Sequence, residues 1–108
     1  MAKLTAILLV RNEELQLSSC LSSISGICDS VIVLDTGSTD GTISILNSET
    51  RFNNFHWESY ELDGFGSARQ KLLSLVETEW TLWIDADETV SPELQEWLAN
   101  IPNSNNGY

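Results

Sequence analysis

Three aspartates stand where carboxylates could do chemistry. Asp85 and Asp87 lie in Asp85-Ala86-Asp87-Glu88, directly after the apolar run 80–84 (WTLWI), and Asp35 ends a second apolar run, 30–35 (SVIVLD). Acids gathered at one edge repel each other unless a cation stands between them or hydrogen-bond donors satisfy them. A hard divalent cation with oxygen ligands resolves that repulsion and can bridge to the phosphates of a substrate. Arg69 follows Gly66-Ser67-Ala68 at the start of a helical pattern. A guanidinium there could reach a diphosphate or a base.

Each of these residues also has a plainer use. Asp35 could cap the turn before Gly37. Asp85 and Asp87 could be solvated loop acids, and Arg69 a solvated helical side chain. Asp40, Glu13 and Glu14 are expected to stabilise helix starts rather than touch a ligand. His56, the single histidine, falls on a weak strand and reads as a surface residue. Trp57, Trp80, Trp83 and Trp97 read as core and lid packing, with Trp57 also open to a role against a ligand. The glycine-rich stretches match no phosphate cradle: there is no GxxxxGKS or GxxxxGKT, and no GxGxxG after a strand.

The elements that must position these residues alternate. The near-continuous apolar run 4–10 (LTAILLV) predicts a strand buried on both faces. Asn12 is then a natural N-cap. Leu15, Leu17, Cys20, Leu21, Ile24 and Ile27 carry helical spacing, with Gly26 near the end. Residues 30–35 predict a second strand. Ser38 or Thr39 would cap the next helix, which holds Ile43, Ile45 and Leu46 and fades near Ser48-Glu49. A short third strand is expected over 54–58, a loop over 59–65, and an amphipathic helix over 66–77 with Ala68, Leu72, Leu73 and Val76 on one side. Residues 80–84 form a fourth strand. Ser91-Pro92-Glu93 opens a last helix with Leu94, Trp97 and Leu98, and 103–108 read as a flexible tail after a domain spanning 1–102. The order β-α-β-α-β-α-β-α predicts an α/β fold: a Rossmann-like parallel sheet with helices on both faces. Ligands of such sheets bind beyond the carboxyl ends of the strands, where Asp35, Asp85 and Asp87 would share one edge.

Composition narrows the partners. Among 108 residues, sixteen acids against five bases give a net charge of −11. That field disfavours nucleic acid and anionic membrane surfaces. The hydrophobic content of 42%, with four Trp, is that of a folding chain. Cys20 and Cys28 with a single His do not make a structural zinc pattern and read as buried thiols, which favours a reducing cytoplasm. No run approaches the ~18 apolar residues of a transmembrane segment.

Four segments together resemble family 2 glycosyltransferases of the GT-A fold, in particular the bacterial branch of lipopolysaccharide-core β-glycosyltransferases. They are Val10-Arg11-Asn12-Glu13-Glu14, Val33 to Thr42 (VLDTGSTDGT), Phe65-Gly66-Ser67-Ala68-Arg69, and Trp83-Ile84-Asp85-Ala86-Asp87-Glu88. They come in the family's order and cover about residues 4 to 98. The resemblance implies a nucleotide-sugar donor, usually UDP-linked, and transfer with inversion to a hydroxyl of a glycan, lipid or protein acceptor. It implies that Asp35 binds the nucleotide base, with Val10 and Asn12 at the strand end lining the base pocket. Asp85 and Asp87 match the DxD motif: Asp87 would bind Mg²⁺ or Mn²⁺, and Asp85 the ribose or the metal's surroundings. Arg69 would help position the nucleotide. Complete members are longer, and their acceptor half and catalytic base follow the region matched here, so no catalytic base is assigned. A complementing C-terminal half, or a homodimer through the fourth strand as a sheet edge, is the expected partner.

Two other readings fit parts of the same residues. A non-catalytic module could keep the fold and bind a nucleotide or a partner. Asp85-Ala86-Asp87-Glu88-Thr89 also matches the DxDxT of haloacid-dehalogenase-type phosphohydrolases, with Asp85 as nucleophile.

Overall fold

Among the described residues, alternation of apolar strands and amphipathic helices resolves into four strands and four helices. A computed structural model describes residues 4–52, 54–61, 65–76, 78 and 80–99. The elements are β1 (Leu4–Val10), α1 (Leu17–Ile24), β2 (Ser30–Asp35), α2 (Thr42–Asn47), β3 (Asn54–Ser59), α3 (Phe65–Ser74), β4 (Trp80–Trp83) and α4 (Pro92–Ala99). The strands form one parallel sheet in the order β3-β2-β1-β4, as the α/β reading expects. From β1 the chain winds outward through β2 and β3, then returns to the other side of β1. The switch in strand order therefore lies between β1 and β4, and β4 is an edge of the described sheet.

The pleat divides the core. Leu4, Ala6, Leu8 and Val10 of β1 join Val31, Val33, Trp80 and Leu82 in a large cluster with Leu17, Cys20, Leu21 and Ile24 of α1 and Leu46 of α2. On the opposite face Ile7, Ile32 and Leu34 pack with Leu72 of α3. Both faces of β1 and β2 are thus covered, which is why their sequences are apolar without alternation.

The element boundaries differ from expectation where local chemistry intervenes. Asn12 does not cap α1. Its φ is 53°, in the left-handed region rather than the extended one a cap adopts. Residues 13–16 form a turn in which the Glu13 carbonyl accepts from the Gln16 and Leu17 N–H groups (3.1 and 2.8 Å), and α1 begins only at Leu17. Leu15, expected on the apolar face, is 92% exposed in that turn. Neither Ser38 nor Thr39 caps α2. Asp40 Oδ1 accepts the Thr42 N–H at 2.9 Å instead. β3 runs to Ser59 and α3 starts at Phe65, so the loop expected over 59–65 is shorter, and 62–64 lie outside the described residues. α3 stops at Ser74, Leu73 is exposed rather than buried, and Glu77 lies outside the described residues. β4 is assigned to Trp83, with the Ile84 N–H still donating to the Ile7 carbonyl at 3.3 Å.

The start of α4 follows expectation: Ser91 Oγ accepts the Leu94 N–H at 3.2 Å, Pro92 takes the first helical position, and Glu93 lies in the first turn. Trp80 is buried and Trp57 and Trp83 are half-buried, but Trp97 is exposed. Cys20 and Cys28 are buried free thiols. Residues 100–108, including the expected boundary and tail, lie outside the described residues. No helix among the described residues is long and apolar enough to cross a membrane.

Candidate functional site

Parallel strands deliver their following loops to one edge. The register sets Asp35 opposite Val10 and Trp83 opposite Ile7, so Asp35 and Asp85 flank the end of β1 on opposite sides. Two interstrand spacings separate their backbones, roughly 10 Å, and each acid belongs to its own loop.

On the β2 side the carboxylate is consumed by its own loop. Asp35 is 2% exposed. Its Oδ2 accepts the N–H groups of Gly37 (3.2 Å) and Ser38 (3.0 Å), and its Oδ1 accepts the Ser38 hydroxyl. Gly37 has φ 121°, a conformation that only glycine takes without strain. The turn-capping use of Asp35 is therefore realised at the very edge where a ligand would bind.

Ser38 then reaches across to the loop after β1. Its Oγ accepts the Asn12 N–H at 2.8 Å, and Asn12 Oδ1 accepts the Thr39 N–H at 2.7 Å. The Glu13 N–H donates to Thr42 Oγ1 (2.9 Å), the Glu14 N–H to Asp40 Oδ2 (3.3 Å), and the Gly41 N–H to Glu14 Oε2 (3.1 Å). Two loops are thereby laced into one unit. The Thr42 hydroxyl on its carboxylate holds Asp40 below the usual aspartate range. Asp40, Glu13 and Glu14 are structural, as expected, although they brace two loops rather than single helix starts. Val10 is buried, and its carbonyl accepts from the Thr36 N–H (3.0 Å) and hydroxyl (3.2 Å). Asn12 is exposed at the strand end.

On the β4 side the pattern reverses. Asp85 and Asp87 are exposed, while Ala86 between them and Val90 beyond are buried in the α1 cluster. The small apolar residue plugs the turn into the core and leaves the acids on either side outward. The turn is closed by its own backbone: the Glu88 N–H donates to the Asp85 carbonyl (2.9 Å), and Glu88 Oε1 accepts the Asp85 N–H (3.1 Å). Beneath it the Cys20 thiol donates to the same Asp85 carbonyl at 3.6 Å. Burial, then the charges of Glu88, Asp87, Asp85 and Glu13, push that thiol up to about 12.

Arg69 is exposed in the first half of α3, and its guanidinium lies 5.5 Å from the ring centre of Trp83, the last residue of β4. This cation–π contact brings Arg69 to the same end of β4 as the acids. Sequence reasoning missed that anchor. The signal was available: Trp83 points to the face opposite Leu82, the face that α3 covers. It also missed the double duty of Ser38 and the burial of Thr42. His56 is exposed and pairs with Glu58 at 3.2 Å. Among the described residues no three His, Cys, Asp or Glu converge as a metal cluster. A groove of about 570 Å³, lined by Thr5, Asp29, Asn54, His56 and Thr78 among others, lies at the opposite, amino end of the strands.

Residues 5–106 match the family model described as glycosyl transferase family 2. The chain belongs to that family. It is 32% identical over 98 residues to the SPbeta prophage-derived glycosyltransferase SunS of Bacillus subtilis (strain 168), covering 91% of this chain and 23% of that protein. It is 31% identical over 101 residues to the lipopolysaccharide core biosynthesis glycosyltransferase LpsC of Rhizobium meliloti (strain 1021), covering 91% of this chain and 36% of that protein. The crystal structure of S. aureus TarS 1-349 in complex with UDP superposes with a TM-score of 0.74 at 25% identity, over 90% of this chain and 31% of that one. The chain thus spans about a quarter to a third of the length of these glycosyltransferase relatives. Its fold is the N-terminal portion of the GT-A type, as the resemblance implied. Family membership also supersedes the phosphohydrolase reading of residues 85–89.

Proposed function

We propose that this family 2 domain binds a nucleoside-diphosphate sugar, UDP-linked, for inverting transfer to a hydroxyl of a glycan, lipid or protein acceptor. The observation that carries the reading is the placement of two unlike loop systems on either side of β1, roughly 10 Å apart at the carboxyl edge of a parallel sheet. The UDP complex of the similar TarS chain supports the choice of nucleotide.

In this reading the base lies against the Asn12–Asp35 unit, and the diphosphate extends past the end of β1 toward β4. Asp35 recognises the base through the acceptor position that its three loop donors leave over, and Asn12 and Val10 shape its pocket. Asp85 lies beside the ribose. Asp87 holds Mg²⁺ or Mn²⁺, a role that an exposed oxygen ligand on a rigid turn fits. When bound, the metal neutralises charge on the departing diphosphate. Arg69, fixed over Trp83, adds a positive charge on the same side. Deprotonation of the acceptor falls to a base outside the residues described, in a complementing C-terminal half. The β4 edge is the surface such a half, or a second copy, would cover. The buried free thiols fit a cytoplasmic setting.

The test is thermal denaturation with UDP and Mn²⁺. At a hundredfold excess over Kd, binding stabilises by about 2.7 kcal/mol, which raises Tm by roughly 10 °C in a domain of this size. Asp87→Ala abolishes the metal-dependent part of the shift. No stabilisation by any nucleoside diphosphate with metal would instead favour a non-catalytic module.

A further inference from the structure

We propose that Ser23 of α1 is a positioning residue for the Asp85–Asp87 turn. The inference rests on the donor-binding reading above and goes beyond it. α1 reaches the turn across 65 and 67 residues of sequence, yet it grips the turn at both ends. At the near end the Cys20 thiol donates to the Asp85 carbonyl. At the far end the half-buried Ser23 hydroxyl accepts the Val90 N–H at 3.0 Å while donating its own proton to the Cys20 carbonyl at 2.7 Å.

The hydroxyl's single proton is used within α1, so its lone pair is oriented toward Val90. Gln95 of α4 closes the clamp. Its Nε2 donates to the Ser23 carbonyl (2.9 Å) and the Val90 carbonyl (3.1 Å). Ala86 and Val90 are pressed into the same cluster as Cys20. The six residues from Asp85 to Val90 are therefore held at both ends by α1, with Gln95 of α4 closing the far end, and the exposed acids ride on that turn. A metal ligand needs such outer support, because the ion tolerates little error in where its oxygens stand.

Isothermal titration of the chain with UDP, once with Mn²⁺ and once with EDTA, gives the affinity gain due to metal. Ser23→Ala should reduce that gain about tenfold, in line with losses at other outer-shell positions, and leave the affinity in EDTA within about twofold. Ser23→Thr, which keeps the hydroxyl, should restore it. Gln95→Leu reaches the same clamp from α4 and should act in the same direction if Ser23→Ala folds poorly. A purely structural role would lower Tm and leave the metal gain of the folded protein unchanged, which overturns the proposal.

If the wild-type chain itself shows no metal gain, the metal part of the donor-binding reading fails, and if UDP does not bind at all the whole of it fails. Hydrogen exchange then decides the positioning claim separately. Amides of 85–90 should exchange faster in Ser23→Ala while those of 35–42 stay unchanged, and equal rates at 85–90 overturn it.

Discussion

The two loop systems at the carboxyl edge solve the same electrostatic problem in opposite ways. On the β2 side, Asp35 is buried and its charge is met by three donors from its own loop. On the β4 side, Asp85 and Asp87 remain exposed, and the order lies in the backbone and in the buried Ala86 and Val90 beneath them. One carboxylate organises structure, and the other two are carried by structure. A site can thus keep one half preassembled at all times and leave the other half's charge available to a cation.

The contrast predicts a large asymmetry between two substitutions of the same chemistry. Asp35→Ala strands the Gly37 and Ser38 N–H groups and should destabilise the chain by about 3 kcal/mol, a large share of the stability of a small domain. Asp87→Ala should change stability by no more than about 0.5 kcal/mol while removing the metal response. Urea denaturation of both variants measures the difference. Equal losses would mean that Asp87 also supports the fold and that the division between the two sides is wrong.

The second expected effect is smaller and tests how the β1 loop joins the unit. Asn12 combines a positive φ with a side-chain bond to Thr39. Asn12→Ala forfeits the bond and leaves an ill-suited residue in the left-handed region, together about 2 kcal/mol. Asn12→Gly forfeits only the bond, about 1 kcal/mol. A glycine variant less stable than the alanine variant would show that the left-handed φ of Asn12 costs the chain little.

The same contrast explains what could be read from the sequence. The strands and their order of alternation were legible because burial on both faces leaves an apolar run that no surface strand shows, as in LTAILLV and SVIVLD. The positions of Asp35, Asp85 and Asp87 at one edge followed from parallel topology alone. Whether each acid is free or spent was not legible: the donors that meet Asp35 are local, but the Ser38 that supplies two of them is braced by Asn12, 26 residues away in the chain. Asn12 looks like an N-cap by type, but its neighbours across the edge draw it into a left-handed bridge, and α1 starts late as a result. The clamp of Ser23 and Gln95 on Val90 spans 67 and 72 residues and carries no local signal.

The smallest expected effects lie in the pH dependence of stability, where the two sides should act at opposite limits. Asp40, on the β2 side, has its carboxyl held below its ordinary 3.8, first by the Thr42 hydroxyl. A lowered folded-state value means that its contribution is present above the unfolded value and is lost as pH falls through the folded one. Stability should therefore decline below about pH 4, and Asp40→Asn should flatten part of that limb. Cys20, under the β4 turn, is pushed from 9.0 to about 12, first by burial. A raised value works the other way. The contribution is intact below pH 9 and is lost between 9 and 12 as the unfolded chain gives up its proton and the folded one does not. Cys28 is raised to about 12 as well, so Cys20→Ala should remove only part of the alkaline limb. The two limbs should respond separately: Asp40→Asn should leave the alkaline side alone, and Cys20→Ala the acid side. Chemical denaturation across pH would refute the separation if either variant moved both limbs, because that would couple the titrations of two loop systems that stand on opposite sides of β1.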